Sequence, residues 1–275
     1  MTELYNTKLS VNLNKVALLR NQRDIGYPGV LEMARTVIEA GAQGITVHPR
    51  PDERHTRRSD VYELAAMLRA EYPDSGPGGG VEFNIEGNPT PDFLALVIEV
   101  KPDQVTLVPD DPHAKTSDHG WDIAANKDFL TRVVGELKAA GLRVSLFVDC
   151  EPEAVALAAE VGADRVELYT EPYAAAHGTA AEDREFRRCL AAGEAARAHG
   201  LGLNAGHDLN LDNLPRLAAG IPWLLEVSIG HAITADALRM GFPAAVEEYR
   251  AALTVAPAEQ RRARPAAQFQ EGARA

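Results

Sequence analysis

Histidines 48, 55, 207 and 231, glutamates 86 and 167, and arginines 23 and 50 are the residues of this chain best suited to moving protons and holding anions. Imidazole titrates near neutrality, so it takes and returns protons at physiological pH. A glutamate in a dry pocket has its pKa pushed upward and becomes a usable base. The forked guanidinium matches the oxygens of a phosphate group. Together these types suit proton transfer on a small phosphorylated molecule, provided the fold gathers them.

What must gather them is a repeated unit. VIEAGAQGITV (37–47), LKAAGLRVSL (137–146), AAEVGADRVEL (158–168) and ARAHGLGLNA (196–205) each read as a helical tail, a glycine and an apolar strand. Gly41, Gly141, Gly162 and Gly200 stand where a helix ends in a left-handed residue. Helix, short loop and buried strand form half of a βαβ unit, and its repetition predicts a parallel sheet. Eight strands are expected, at 8–14, 44–49, 81–86, 104–109, 143–149, 165–170, 201–207 and 224–230. Helical stripes fall between them, as at 29–40 and 182–199. Eight such units match an α/β fold of the (β/α)8, or TIM, barrel type. The rival, an open doubly wound sheet, lacks its Gly-rich phosphate turn after the first strand. One catalytic domain is expected over 1–255, with a flexible Ala/Arg/Gln-rich tail over 256–275.

In a barrel of this kind the C-terminal strand ends form the site. Those ends read Asn12 with Asn14 and Lys15, His48 with Arg50, Asn84 with Glu86, Asp110, Asp149, Glu167 with Thr170, His207 with Asp208, and Gly230 with His231. The strand starts are read as carrying nothing comparable. Gly230 before His231 suits phosphate held by bare backbone N–H groups at a helix start. Asp149 reads as structural, Arg54 as solvent-facing, and Cys150, Trp121 and Trp223 as packing residues. Histidines and carboxylates could hold zinc or manganese. However, no His-x-His pair lies on the first strand and basic groups crowd the mouth, so no metal is expected.

Composition narrows the class further. The chain has 275 residues, 45% of them apolar, which is ample for a sizeable core. Its net charge of −12 argues against nucleic acid as a partner. No run approaches the roughly 18 apolar residues of a membrane span, and MTELYNTKLS lacks the marks of a secretory leader. Two cysteines suggest no disulfide framework, and a cytoplasmic location is expected.

The blocks VNLNKVALLRNQR (11–23), GITVHPRPDERH (44–55), NIEGN (84–88), VELYT (166–170), NAGHDLNLDN (204–213) and SIGHAI (228–233) resemble the pyridoxine 5′-phosphate synthase family, in the expected order over roughly residues 8 to 253. The resemblance implies condensation of 3-amino-2-oxopropyl phosphate with 1-deoxy-D-xylulose 5-phosphate, without metal or organic cofactor. It implies His48 and Glu86 as general bases, His207 as proton donor and Glu167 as a carboxylate that stabilises developing charge. Arg50, His55 and Thr116 would hold the sugar phosphate, Thr116 lying in a lid-like loop over PDDPHAKTSDHG (109–120). Asn12, Arg23, Gly230 and His231 would hold the amino-ketone phosphate. It also implies a homo-oligomer, an octamer built as a tetramer of dimers, with a helix near 16–22 at contacts.

Three positions depart from the family pattern. Asn14-Lys15 stands where Asp-His is common, Asp208 where glycine follows the histidine, and His119-Gly120 where two glycines are usual. Asn14, Lys15 and Asp208 are expected to face substrate, with Lys15 and Asp208 paired across the mouth within about 8 Å. The alternative reading is a barrel aldolase or isomerase acting on another phosphorylated sugar through a Schiff base on Lys15.

Overall fold

A computed structural model describes residues 7–23, 25–73, 80–109 and 117–254. The expected tail at 256–275, Asp110, Thr116 and most of the 74–80 linker lie outside them. The chain runs β1 (Lys8–Asn12), α1 (Asn14–Arg20), α2 (Val30–Glu39), β2 (Gly44–Val47), α3 (Arg58–Glu71), β3 (Glu82–Gly87), α4 (Pro91–Val100) and β4 (Gln104–Leu107). It continues with α5 (Lys127–Ala139), β5 (Arg143–Val148), α6 (Pro152–Glu160), β6 (Arg165–Leu168), α7 (Glu171–Ala176) and α8 (Glu182–Ala198). The last elements are β7 (Gly202–Ala205), α9 (Leu214–Gly220), β8 (Glu226–Ile229), α10 (His231–Met240) and α11 (Phe242–Leu253). All neighbouring strands pair in parallel and β8 closes on β1, giving the expected barrel and excluding the open sheet.

Local chemistry sets the boundaries. Pro91 and Pro152 occupy first turns, where the missing N–H costs nothing. Gly41, Gly141, Gly162 and Gly200 have φ of +103°, +84°, +85° and +72°, the left-handed conformation that ends a helix. The expected strands overran by one or two residues at their C-terminal ends, except β3, because ladder bonding stops before the polar loops begin.

Alternation along the strands sorts the residues. Leu9, Val11, Ile45, Val47, Ile85, Val105, Leu107, Val144, Leu146, Val166 and Val227 are fully buried, between the strands and the helical shell. Each contributes roughly 1.5–3 kcal/mol by leaving water. The alternate positions turn into the bore, and apart from Phe147 and the glycines Gly44 and Gly202 they are polar. Ser10 and Thr46 hydroxyls meet at 2.7 Å, and the Thr106 hydroxyl donates to Asn84 Oδ1 at 3.0 Å.

The strand starts overturn one expectation, since they too are charged. Lys8 Nζ lies 2.6 Å from Glu82, Arg143 pairs with the same carboxylate and reaches Gln104 Oε1 at 3.0 Å, and Arg165 lies 3.9 Å from Glu226. These groups face inward and neutralise one another, as buried charge requires. Their place in the same alternating row, two or four residues before the mouth residues of each strand, is the signal in the sequence that points to them.

Candidate active site

Above this ionic floor, the strand ends open into one cavity of about 350 Å³. Its walls include Asn12, Asn14, Lys15, His48, Arg50, His55, Glu86, Glu167, His207, Asp208, Gly230 and His231. Every expected site residue among those described therefore shares one chamber, except Arg23. Arg23 is exposed and lines no part of it. The reason is local: Asn21 Nδ2 bonds to the carbonyls of Glu53, Arg54 and His55, so the end of α1 is pinned outside the β2 loop. Thr116 lies outside the described residues.

The β2 loop is braced from α1 and α3. Buried Arg20 forms a forked pair with Asp60 and donates to the His55 carbonyl at 3.2 Å. Asn14 Oδ1 accepts the His48 N–H at 2.9 Å and the Thr56 hydroxyl at 3.0 Å. Asn14, expected to face substrate, thus also positions the His48 backbone. The Thr56 N–H donates to His55 Nδ1 at 2.9 Å, which makes Nε2 the protonated nitrogen of that ring. Burial first, then Arg50 and its own histidine and arginine neighbours, hold His48 well below the usual imidazole range. Burial, Arg50 and Lys15 push His55 down to about 4. Both rings are therefore neutral at neutral pH, as a general base must be.

Glu167 is pushed the other way. Glu167 is 5% exposed and its Oε2 has no hydrogen-bond partner among the described residues. Burial, the nearby Glu86 and then Glu226 raise it well above the usual carboxylate range. Glu86 accepts from Asn12 Nδ2 at 3.2 Å.

On the far wall, Gly206 and Gly230 are small because the strands leave no room. A Cβ on Gly206 would fall 2.2 Å from the Ser228 carbonyl oxygen, and one on Gly230 would fall 3.1 Å from Asn12 Cβ. Gly230 caps α10, whose first residues His231 and Ala232 line the cavity, so the first turn of the helix borders the same space. His207 is held by its carbonyl, which accepts the Thr170 hydroxyl at 2.7 Å, and by the rings of Tyr169 and Phe147 at 5.3 and 6.3 Å. Its Nδ1 lies 3.2 Å from Asp208 Oδ2. Asp208 hydrogen-bonds directly to His207, while Lys15 and His231 act on that carboxylate through their charge.

The remaining readings resolve simply. Asp149 Oδ1 accepts the Gly120 N–H at 3.0 Å, and Gly120 can only be glycine because a Cβ would strike the Asp149 nitrogen at 2.3 Å. Trp121 is buried with Nε1 donating to the Leu107 carbonyl, and Cys150 packs against Cys189. Arg54 pairs with Asp52 at 2.7 Å. Thr106, Phe147 and Ser228 also line the cavity and were missed, although the period of two that turns Glu86 inward points to them as well. A second cavity of about 360 Å³ shares His48 and Arg50, and its other walls mix Pro49, Pro51, Phe93 and Leu96 with the charged Glu53, Arg58 and Asp92. Among the described residues no cluster of three metal-ligating side chains occurs, and no helix is long and apolar enough to cross a membrane.

Fold and cavity define a (β/α)8 barrel whose mouth combines acid–base residues with cationic and backbone groups for anions. The chain belongs to the pyridoxal phosphate biosynthesis protein PdxJ family, whose model matches residues 9–255. Proteins named pyridoxine 5′-phosphate synthase from Brucella anthropi and Allorhizobium ampelinum are similar to it, at 55% and 54% identity. Those matches cover 90% and 89% of this chain and 98% and 97% of theirs. Among solved structures, tryptophan synthase from Mycobacterium tuberculosis (TM-score 0.59, 14% identity, 90% of this chain and 93% of that one) shares the fold. Phosphoribosyl anthranilate isomerase from Thermus thermophilus (TM-score 0.53, 14% identity, 88% of this chain and 100% of that one) does so too. The family makes the chain an enzyme of vitamin B6 biosynthesis.

Proposed function

We propose that the chain condenses 3-amino-2-oxopropyl phosphate with 1-deoxy-D-xylulose 5-phosphate to pyridoxine 5′-phosphate, releasing phosphate and water by general acid–base catalysis. The observation that carries this is the convergence of His48, Glu86, Glu167 and His207 on one chamber with anion-binding groups on two sides. The names of its relatives support the same reading.

In this scheme neutral His48 and Glu86 take protons from the carbon skeleton, and His207 returns one to a departing oxygen. Glu167, kept protonated by its burial, donates a hydrogen bond to charge that develops above it. Arg50 and His55 hold the sugar phosphate on the β2 side, while Asn12, Gly230, His231 and the start of α10 hold the amino-ketone phosphate. Both substrates are small and phosphorylated, and neither nucleic acid nor membrane is a partner. The test is incubation with both substrates while pyridoxine phosphate and free phosphate are monitored. His48→Ala and Glu86→Gln should bind both substrates yet lose about 100-fold to 10,000-fold in kcat. Trapping of substrate on Lys15 by borohydride would instead favour a Schiff-base enzyme.

We further propose that the chain works as a homo-oligomer in the cytoplasm. Leu19, Ile25 and Tyr27 near α1, with Leu238 and Met240 on α10, are large apolar side chains left exposed. Light scattering of the full chain checks this, and a monomeric mass would refute it.

A further inference from the structure

We propose that Asp208 is a positioning residue that fixes the tautomer of His207 and so makes Nε2 the nitrogen that hands over the proton. The inference rests on the reading of His207 as proton donor, and it adds a residue that this role does not by itself require.

The geometry begins with the backbone. Asp208 has φ of +61°, a left-handed conformation that is unfavourable for most L-residues and that aspartate, asparagine and glycine tolerate best. The chain on both sides is locked into it. Leu209 N–H bonds to the Gly206 carbonyl at 3.1 Å, and Asn213 Nδ2 bonds to the Asp208 carbonyl at 3.3 Å. Asn213 is fully buried, exchanges bonds with Asn210 at 2.9 and 3.1 Å, and accepts the Tyr173 hydroxyl on its carbonyl at 2.8 Å. The neighbouring His207 carbonyl is tied to Thr170. Strain maintained by this much surrounding structure marks a residue whose placement matters.

What the strain achieves is a carboxylate beside an imidazole. Asp208 Oδ2 lies 3.2 Å from His207 Nδ1. An ionised carboxylate only accepts, so Nδ1 carries hydrogen in every state of the ring. The His207 hydrogen bond, together with attraction to His231 and Lys15, holds Asp208 below its ordinary range and keeps it ionised. When His207 acts, the Nε2–H bond breaks, its electron pair stays on the ring and the proton goes to the departing substrate oxygen. The neutral Nδ1–H ring that remains is still bonded to Asp208, and Nε2 regains a proton from solvent before the next turnover. An acceptor behind an acid–base histidine is the same device that orients the imidazole in a catalytic triad. Tyr169 and Phe147 fix the ring plane, and Asp208 fixes which nitrogen faces the reaction.

Asp208→Gly separates the two roles of the position, because glycine keeps the left-handed backbone and removes the carboxylate. Imidazole nitrogen NMR on the ¹⁵N-histidine-labelled full chain, assigned with His207→Gln, should show the Nδ1–H tautomer in the native protein and a shift to Nε2–H in Asp208→Gly. With both substrates, kcat of Asp208→Gly should fall about 10-fold to 100-fold while either KM stays within about two-fold. Asp208→Asn, which retains an acceptor oxygen, should recover part of that loss. The same tautomer in both proteins, an unchanged kcat, or a loss confined to KM would overturn the proposal. If the tautomer switches but the native chain makes no pyridoxine phosphate, the function assignment alone fails and the Asp208–His207 pairing stands.

Discussion

His48 and His55 are imidazoles kept neutral by burial and by the cations around them. Their folded pKa values lie below the ordinary one, so they stay unprotonated as pH falls through 6.5. A reaction that needs neutral His48 should therefore hold its rate into the acid range, with the acid limb of kcat/KM well under the usual imidazole titration. A pH–rate profile of the native chain measures this, and a limb near 6.5 would contradict it. Residue types and strand-end positions made most of this chamber legible in advance. The exceptions are instructive. Arg23 lies eleven residues beyond Asn12 in sequence, and nothing in that spacing shows that Asn21 pins the α1 end elsewhere. Asn14 lines the chamber as its position suggests, but nothing in the sequence shows that its oxygen also accepts from His48 and Thr56. The left-handed backbone of Asp208 is equally silent, since aspartate also sits in ordinary loops.

At the scale of elements, two glycines with opposite surroundings make a paired prediction. Gly206 follows β7, where an added Cβ would meet the Ser228 carbonyl 2.2 Å away. Backbone cannot give way there without parting the strand ends, so Gly206→Ala should destabilise by about 1–3 kcal/mol. Gly135 lies within α5 with open space around it, so Gly135→Ala should stabilise by about 0.5–1 kcal/mol through helix propensity alone. Thermal melts of the two variants should move in opposite directions. Helices and strands were readable because the glycine stops and hydrophobic periods are local. The ionic floor was misread because a charge at a strand start, such as Arg143 or Arg165, resembles the polar end of a loop. Only the closed ring shows that it faces Glu82 or Glu226.

For the whole molecule, the floor ties stability to pH. Burial, outweighing its arginine neighbours, raises Glu226 from an ordinary 4.5 to about 7. The folded chain therefore binds a proton that the unfolded chain has released between those values. Stability from this group is complete below pH 4.5 and lost as pH rises through about 7, a change of roughly 3 kcal/mol. Glu226→Gln should flatten the native protein's decline between pH 5 and 7 in denaturant unfolding, with the other ionised groups common to both proteins. Equal slopes would remove Glu226 as the cause.

The division of each strand into an apolar outer row and a polar inner row has one more effect. Were β3 to slip by a single residue against β2, Glu82, Asn84 and Glu86 would swing into the oily shell while Phe83 and Ile85 entered the bore. Every misaligned ring buries naked charge, so the groups that equip the chamber also act as the gauge by which the tube closes in one stagger and no other.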